Sequence, residues 1–596
     1  MEKIKGLYRS IVLPAILLLA WTGCNDGAFL EEKPETFYTV DNAFSSSEQV
    51  DQVLVSCYSQ VRSIFCIANE ESYFWNFKGN GTDMYDVPFF RRAGRFNDYS
   101  VLNSTTGDFR EIYSQWYRMI ARANLALYAA ELPAITWASP ADKAYVVAQA
   151  RFFRAFCYRN LGELYGGVPV VTEITTSPRY DFERASRLET YQFAIDELEE
   201  ILNDLPETTA KPGRLVRGAA QHNLAQLYID KGVTLAEEGR GGESAAAWDR
   251  AIAFAGQLVD GGTYSLMTER FGSRMNDFPD FYHTSVVAEQ TPDRLYSAAG
   301  YPTEGNVYWD LFQEGNQDYQ NGNREAIWCA QTDYTAYRTE DGNAKLPYTR
   351  LFSPVFRDVV STHAGGTLED VGGRGISCVM PTFYTRDIVY EGKWADDLRN
   401  SEAVLRRVFL GNNPSSEYYG KAIPWSVLYR DGEGQDAVDV GRSTVYPVSC
   451  KIATDKYTGL ADGENRSNLF RDEYLIRLPE TILLRAEAKW RKGDSAGAAA
   501  DINLLRKRAR CGYEVQAADV SLDLILDERA RELVYEETRW NTLLRMGGTV
   551  AADRIRKYAH WDDPRATLTR NINLWPIPQT VIDTNKDIPM AQNPGW

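Results

Sequence analysis

Residues 144–164 read AYVVAQARFFRAFCYRNLGEL, and this stretch decides the fold class. Its large apolar residues Val147, Phe152, Phe156 and Leu161 recur at spacings close to those of one helical face. The small residues between them let a second helix approach closely. The stretch therefore predicts a long amphipathic helix that packs against other helices.

Similar patterns recur towards both ends of the chain and predict helix pairs. Further helical stretches are predicted at residues 188–205, 214–232, 245–262, 473–493, 495–509 and 522–547. Pro206 ends the first of them, and Gly493-Asp494 is the turn between two others. A helix with small residues, a turn and a second amphipathic helix resembles a tetratricopeptide unit. We therefore expect a mostly α fold with a scaffold of tetratricopeptide-like helix pairs.

The middle of the chain has a different composition, which sets the predicted domain organisation. Residues 263–470 are rich in Gly, Asn, Asp, Tyr and Trp and show few helical stripes. Long loops on a rigid scaffold often carry function. We predict a helical region at 24–262, a loop-rich insertion at 263–470 that contributes to the ligand site, and a helical region at 471–596 with a docked Pro-rich tail.

The N-terminus has the pattern of a secretory signal. Lys3 and Lys5 precede an apolar run of ten residues, which is too short to span a bilayer of about 30 Å. Gly23-Cys24 resembles the cleavage box of bacterial lipoproteins, although Trp21 departs from the usual Leu. Residues 1–23 are thus a predicted signal peptide, with lipidation at Cys24 and attachment through acyl chains. Ordinary signal cleavage nearby is the alternative.

Charge and cysteine content exclude several classes of protein. Acidic residues outnumber basic ones by 82 to 65, a net charge of −17, which disfavours nucleic-acid binding. Seven cysteines follow Cys24 at wide spacings without a C-x-x-C, so neither a zinc site nor a disulfide framework is predicted. We expect these cysteines to be buried free thiols. A single disulfide bridge between two of them is the alternative that the sequence leaves open.

No motif predicts catalysis or a cofactor. The four histidines are not in H-E-x-x-H, and there is no G-x-S-x-G, P-loop or G-x-G-x-x-G. A glycosidase needs only two suitably spaced carboxylates, which the sequence does not exclude. Residues 431–439 are acidic enough for a structural calcium ion but lack EF-hand spacing.

A cluster of charged residues near the C-terminus is interpreted as structural. Its members are three, four or seven positions apart on a predicted helix and should pair with one another. They are Glu528, Arg529, Arg531, Glu532, Glu536 and Arg539.

Seven stretches in order resemble one family, SusD/RagB. They are WYRMIARANLAL (116–127), ARFFRAFCYRNLGELYGGVPVVTE (150–173), NREAIW (323–328), YLIRLPETILLRAEA (474–488), DINLLRKRA (501–509), DERARELVYEETRWNTLLRMG (527–547) and LWPIPQTVIDTNKDIPMAQNPGW (574–596). Together they extend over nearly the whole mature chain.

The resemblance implies a function without catalysis. Members of this family are surface lipoproteins that bind nutrients, mostly glycans, and pass them to a TonB-dependent outer-membrane transporter, over which they sit as a lid. It implies an outer-membrane location facing the cell exterior, a transporter-facing helical scaffold, and a closing tail that docks on the fold. A peptide-binding member of the family is the first alternative, and a surface glycosidase is the second.

Two stretches mix aromatic rings with polar side chains, as a sugar site requires. Rings cover the C–H face of a sugar, and Asn, Asp, Gln or Arg bind its hydroxyls. The candidates are Tyr73, Trp75, Asn76, Asp83 and Tyr85 in residues 71–86, and Tyr296, Tyr301, Tyr308, Trp309, Asn316 and Tyr319 in residues 296–321. Trp75 and Trp309 are the strongest single candidates.

Overall fold

The computed structural model describes residues 43–88, 95–277, 304–355, 374–409, 415–419, 421–428, 445–454, 456–459 and 467–596. The predictions for residues 1–23, Cys24, Tyr296, Tyr301 and residues 431–439 lie outside these ranges.

Helices dominate the described chain. In chain order the α-helices are α1 (Ser47–Phe65), α2 (Ser72–Lys78), α3 (Gly107–Ala130), α4 (Pro140–Tyr165), α5 (Arg187–Glu200), α6 (Arg217–Glu237), α7 (Gly241–Val259), α8 (Val307–Leu311), α9 (Tyr334–Thr339), α10 (Tyr348–Phe352), α11 (Phe383–Arg386), α12 (Trp425–Leu428), α13 (Leu478–Arg491), α14 (Ser495–Arg508), α15 (Leu522–Leu533), α16 (Arg539–Leu544), α17 (Val550–Tyr558), α18 (Asp562–Thr567) and α19 (Gln579–Thr584). Short 3-10 turns lie at Arg95–Asn97, Tyr319–Asn321, Ile388–Tyr390, Gly392–Trp394, Leu398–Asn400 and Ala517–Asp519.

Strands are few and short. They are β1 (Tyr85–Asp86), β2 (Ala326–Ala330), β3 (Met380–Pro381), β4 (Leu405–Arg406), β5 (Val448–Ser449) and β6 (Glu473–Arg477). They form three antiparallel pairs, β1 with β3, β2 with β6 and β4 with β5. The prediction of a mostly α fold with a few short strands is confirmed.

The predicted helix pairs pack against each other as α4 with α5, α6 with α7, and α13 with α14. Ser139 caps α4 by accepting a hydrogen bond from the Asp142 N–H, and Pro140 occupies its first turn. Gly162 of α4 faces the ring of Tyr191 on α5 so closely that a Cβ atom would collide with it. Small residues thus permit the close approach that the sequence suggested.

Two predicted helices have different boundaries in the structure. Residues 473–477 are the strand β6, because they pair with β2 and Pro479 sets the start of the helix that follows. The predicted helix at 522–547 is broken between α15 and α16. Tyr535 in the break has a φ of +66°, and its N–H donates to the hydroxyl of Tyr85.

This break corrects the expectation of ion pairs along one helix. Arg531 and Glu528 do pair three residues apart, but most of these charges bind other segments. The buried Glu532 carboxylate pairs with Arg477 of β6 at 2.8 Å and with Arg508 of α14 at 2.6 Å. Burial acts to raise the pKa of Glu532, but the surrounding guanidinium groups hold it well below its ordinary value. The charges therefore tie the scaffold together.

One buried histidine makes stability depend on pH. The Nδ1 atom of His222 is 2.8 Å from the Thr481 hydroxyl, and burial lowers the pKa of His222 to about 4, against the opposing effect of Glu480. The unfolded chain binds a proton at this position from about pH 6.5 downwards, whereas the folded chain does not. The stability that depends on a neutral His222 is therefore fully present above pH 6.5 and is lost as the pH falls towards 4.

Wild type should lose about 3 kcal/mol of unfolding free energy from this group between pH 6.5 and 4. His222→Gln should remove this part of the pH dependence. The measurement is the free energy of unfolding, obtained from urea unfolding curves at several pH values between 6.5 and 4 and plotted against pH. His560→Gln, which changes a half-exposed histidine, is the control and should keep the wild-type slope. Identical slopes for wild type and His222→Gln would contradict the assignment.

The C-terminal tail is docked on the end of α4. The backbone N–H of Trp575 donates to the Leu164 carbonyl at 2.6 Å. Asn593 Nδ2 donates to the carbonyls of Tyr165 and Trp575. Gln592 exchanges two hydrogen bonds with the backbone of Ile577. These bonds replace the regular ladder that the prolines prevent.

None of the described helices combines the length and the apolar character needed to cross a membrane.

Candidate functional site

The short helix α2 carries the predicted site residues that reach the surface. Phe74 and Phe77 point into the core, whereas Tyr73, Trp75 and Asn76 are half-buried. The Phe77 ring meets the rings of buried tryptophans of α3 and of the tail edge-on. The helix is therefore fixed from beneath while three of its side chains are presented outward. We call Tyr73, Trp75 and Asn76 the α2 platform.

Polar contacts hold two members of the α2 platform in place. Gln115 of α3 donates to the Tyr73 hydroxyl at 3.4 Å. Asn76 Nδ2 donates to Asp108 Oδ1 at 2.9 Å, and its Oδ1 accepts from Asn80. Burial, together with nearby carboxylates, raises the pKa of Tyr73, so its hydroxyl stays protonated and can donate.

Trp75 supplies the apolar surface of the platform. Its ring packs against the core but stays half-exposed, and its indole N–H has no hydrogen bond to any described residue. The exposed part of a flat ring can cover the apolar face of a sugar, and a fixed amide and a phenol on the same helix can bind hydroxyls. This is chemistry of recognition, without a nucleophile or a proton shuttle.

The structure corrects the interpretation of Asp83 and Tyr85, which lie in the core instead of the platform. Asp83 is 0% exposed and accepts two hydrogen bonds from Arg539, at 2.8 and 2.7 Å, and one from Arg554 at 3.0 Å. Burial acts to raise the pKa of Asp83, but the two guanidinium groups hold it below its ordinary value. Gly79 precedes this segment because the Tyr85 ring leaves no room for a Cβ atom.

Tyr308 and Trp309 are corrected in the same way. Trp309 is 3% exposed, with Arg274 at 4.5 Å from its ring centroid and Arg270 at 5.4 Å. Tyr308 is buried, donates to Glu532 and lies under Arg508. Both rings are covered by charges of the scaffold and present no face to a ligand.

The two remaining candidates of this stretch also serve the scaffold. Asn316 is buried and donates to the Asp310 carbonyl. Tyr319 is half-buried, donates to the Thr263 carbonyl and lies far along the chain from the α2 platform. Among the described candidates only Tyr73, Trp75, Asn76 and Tyr319 are half-buried, and the first three lie on α2.

The structure also contains an open cavity that none of the sequence-predicted site residues lines. It has a volume of about 360 Å³ and lies between α3, the segment 169–182 and α19. We call it the tyrosine groove, because Tyr113 and Tyr117 stack in it with ring centroids 4.8 Å apart at 29°. Its other main lining residues are Arg110, Arg179, Phe182, Val581 and Met590. The spacing 110, 113, 114 and 117 on one helical face was the available signal.

A charged internal cavity belongs to the scaffold. It lies among Lys78, His222, Arg477 and Glu536 and has a volume of about 60 Å³. Ligand pockets measure about 300–1,000 Å³, so this cavity is too small for a sugar ring. Within the described ranges no group of three or more His, Cys, Asp or Glu side chains is placed to hold a metal ion.

Comparisons with known proteins agree with this architecture. Residues 288–596 match the sequence model of the SusD family, and residues 28–229 match one described as "Starch-binding associating with outer membrane". Starch-binding protein SusD of Bacteroides thetaiotaomicron is 32% identical over 471 residues, which cover 75% of this chain and 72% of that protein.

Solved structures show the same fold. A SusD homolog from Bacteroides thetaiotaomicron superposes with a TM-score of 0.64 at 16% identity, covering 94% of this chain and 98% of that one. Surface glycan-binding protein A from the same species, solved in complex with laminarihexaose, superposes with a TM-score of 0.60 at 18% identity. The alignment covers 92% of this chain and 99% of that one.

Proposed function

Because this chain belongs to the SusD family, we propose that it is a cell-surface glycan-binding lipoprotein. It captures an oligosaccharide without cleaving it and delivers it to a TonB-dependent outer-membrane transporter. The observation that carries the proposal is the family match, in which a relative 32% identical is named a starch-binding protein. The structural neighbour that holds laminarihexaose supports a sugar ligand over a peptide.

The α2 platform is the proposed glycan site. Tyr and Trp rings lose little side-chain entropy on binding and keep a polar group at their edge. Packing of Phe77 and the hydrogen bonds of Tyr73 and Asn76 hold the platform in one geometry before a ligand arrives. Such preorganisation lowers the entropic cost of binding. Trp75 stacks on one sugar ring, while Asn76 and Tyr73 bind hydroxyls of the same oligosaccharide.

Delivery requires attachment to the outer membrane beside a transporter. Lipidation of Cys24 provides the anchor in this proposal, and the segment that follows it connects the anchor to α1. The match of residues 28–229 to a family described as associating with the outer membrane supports this location. The helical scaffold is the proposed transporter-facing surface.

Trp75→Ala should weaken polysaccharide binding at least about fivefold, because removal of a stacked ring costs ~1–3 kcal/mol. The chain from Asn25 onward is screened against a polysaccharide panel by affinity electrophoresis, and the best ligand is then titrated by calorimetry. Trp394→Ala is the matched control. Trp394 is also half-buried but lies beside Arg506 and Arg531 on another part of the surface.

Three results would contradict the proposal in different ways. Binding of peptides but of no polysaccharide would favour the peptide-binding alternative. Release of reducing ends by the purified chain would show a glycosidase. Equal weakening by Trp75→Ala and Trp394→Ala would leave the α2 platform without support.

A further inference from the structure

We propose that the tyrosine groove is a second glycan subsite and that it takes an acidic sugar. The inference rests on the proposed function, because it assigns a ligand class to a part of the surface that the α2 platform does not include. It is carried by the coincidence of an open cavity of ligand size, a stacked pair of rings and two half-exposed arginines.

The floor of the groove suits a sugar ring. The half-exposed Tyr117 ring lies on one face of α3 with the buried Tyr113 ring stacked behind it, and the Tyr117 hydroxyl donates to the Pro169 carbonyl at 2.6 Å. This bond fixes the half-exposed Tyr117 ring before a ligand arrives. A volume of about 360 Å³ lies in the range of ligand pockets.

The wall of the groove is also held in place by hydrogen bonds before a ligand binds. Asn585 accepts from the Phe182 N–H at 2.8 Å and donates to the Phe182 carbonyl at 2.9 Å. The docked tail thereby holds the segment that carries Phe182 against α19. Thr580 and Thr584 of α19 line the same cavity, and the Thr584 hydroxyl, which donates to the Thr580 carbonyl, can still accept a hydrogen bond. The tail thus shapes a binding surface as well as closing the fold.

Charge selects the ligand class. Arg110 and Arg179 line the groove with side chains that are 50% and 51% exposed. Their carboxylate partners, Glu111 and Asp181, are near neighbours in sequence and partly exposed. Ion pairs of this kind contribute only about 0–1 kcal/mol, so an incoming anion can replace the partner at little cost.

An acidic ligand needs guanidinium groups that it can reach on this protein. The chain as a whole carries a charge of −17, which repels anions at a distance. Two guanidinium groups can each donate paired hydrogen bonds to a carboxylate or a sulfate. A cavity lined by an aromatic ring and two arginines therefore matches a uronic or sulfated sugar better than a neutral one.

The groove and the α2 platform share one helix. Asp108 and Gln115 of α3 contact the platform, whereas Arg110, Tyr113 and Tyr117 of α3 line the groove. These two sets point to different sides of a helix about 10 Å thick. The groove is therefore a separate surface from the α2 platform, and separate variants can test the two.

The test titrates the mature chain with trigalacturonate and with a sulfated galactotriose by calorimetry, and neutral galactotriose is the matched probe. At least one acidic probe should bind at least tenfold more tightly than the neutral one, and high salt should weaken it. Arg179→Gln and Arg110→Gln should each weaken that binding at least fivefold. Arg240→Gln, which removes a similarly exposed and paired arginine elsewhere, should not.

Two further variants keep the result interpretable. Tyr117→Phe keeps the ring and should keep most of the binding, while Tyr117→Ala should lose it, with the fold checked by circular dichroism. Absence of binding to both acidic probes, equal binding of the neutral probe, or indifference to the groove variants would overturn the inference. Binding lost in Trp75→Ala but unchanged in the groove variants would overturn the second subsite and leave the proposed function standing.

Discussion

Asp83→Ala should lower the free energy of unfolding by at least about 3 kcal/mol, because it breaks a buried ion pair. The carboxylate is fully buried between Arg539 and Arg554, which donate to it from segments more than 450 positions away in sequence. Its removal leaves part of each guanidinium group without an acceptor, although Glu537 and Asp527 still pair with them. Urea unfolding followed by circular dichroism measures the loss.

Glu243→Ala is the matched control for this prediction. It also removes a carboxylate that pairs with an arginine, Arg240, but both side chains are exposed. We expect a change within about 0.5 kcal/mol. If Asp83→Ala were as stable as Glu243→Ala and instead lost ligand binding, Asp83 would be a binding residue and the structural interpretation would be wrong.

Trp575→Ala is expected to cost about 3–5 kcal/mol, as for other large buried aromatic residues. The ring is buried where the tail meets the scaffold, with centroids of Phe109, Trp540 and Tyr165 between 5.0 and 5.8 Å away. The substitution leaves a cavity between aromatic side chains that come from distant parts of the chain. It should therefore loosen the tail as well as destabilise the scaffold.

Thermal unfolding and limited proteolysis together test this second prediction. Trp596→Ala serves as the control, because Trp596 belongs to the same tail but is only half-buried. We expect Trp575→Ala to expose the tail to protease at temperatures where wild type and Trp596→Ala resist. A Trp575→Ala variant as stable as wild type would mean that the tail does not contribute to the fold.

Helical periodicity was sufficient to predict most of the scaffold. The stretch at 144–164 lies wholly inside α4, and the helix pairs follow from local patterns of apolar and small residues. The break after α15 was not predictable in this way. It depends on Tyr535, whose left-handed backbone is stabilised by a contact with Tyr85 that only the folded chain brings close.

The family was predicted from motifs in order, and this prediction is confirmed by the matches to residues 28–229 and 288–596. Local composition was less informative about the site. Trp75 and Trp309 have similar neighbours in sequence, yet the first is half-buried and the second is buried beside two arginines. Which ring faces a ligand is decided by tertiary packing, and composition carries no information about it.

The most direct measurement is a crystal structure of the mature chain with the tightest-binding oligosaccharide from the panel. We expect a sugar ring stacked on the Trp75 indole, with atoms within about 4 Å of it and hydroxyls bound by Asn76 or Tyr73. A sugar bound elsewhere, with Trp75 left uncovered, would contradict the assignment of the glycan site to the α2 platform.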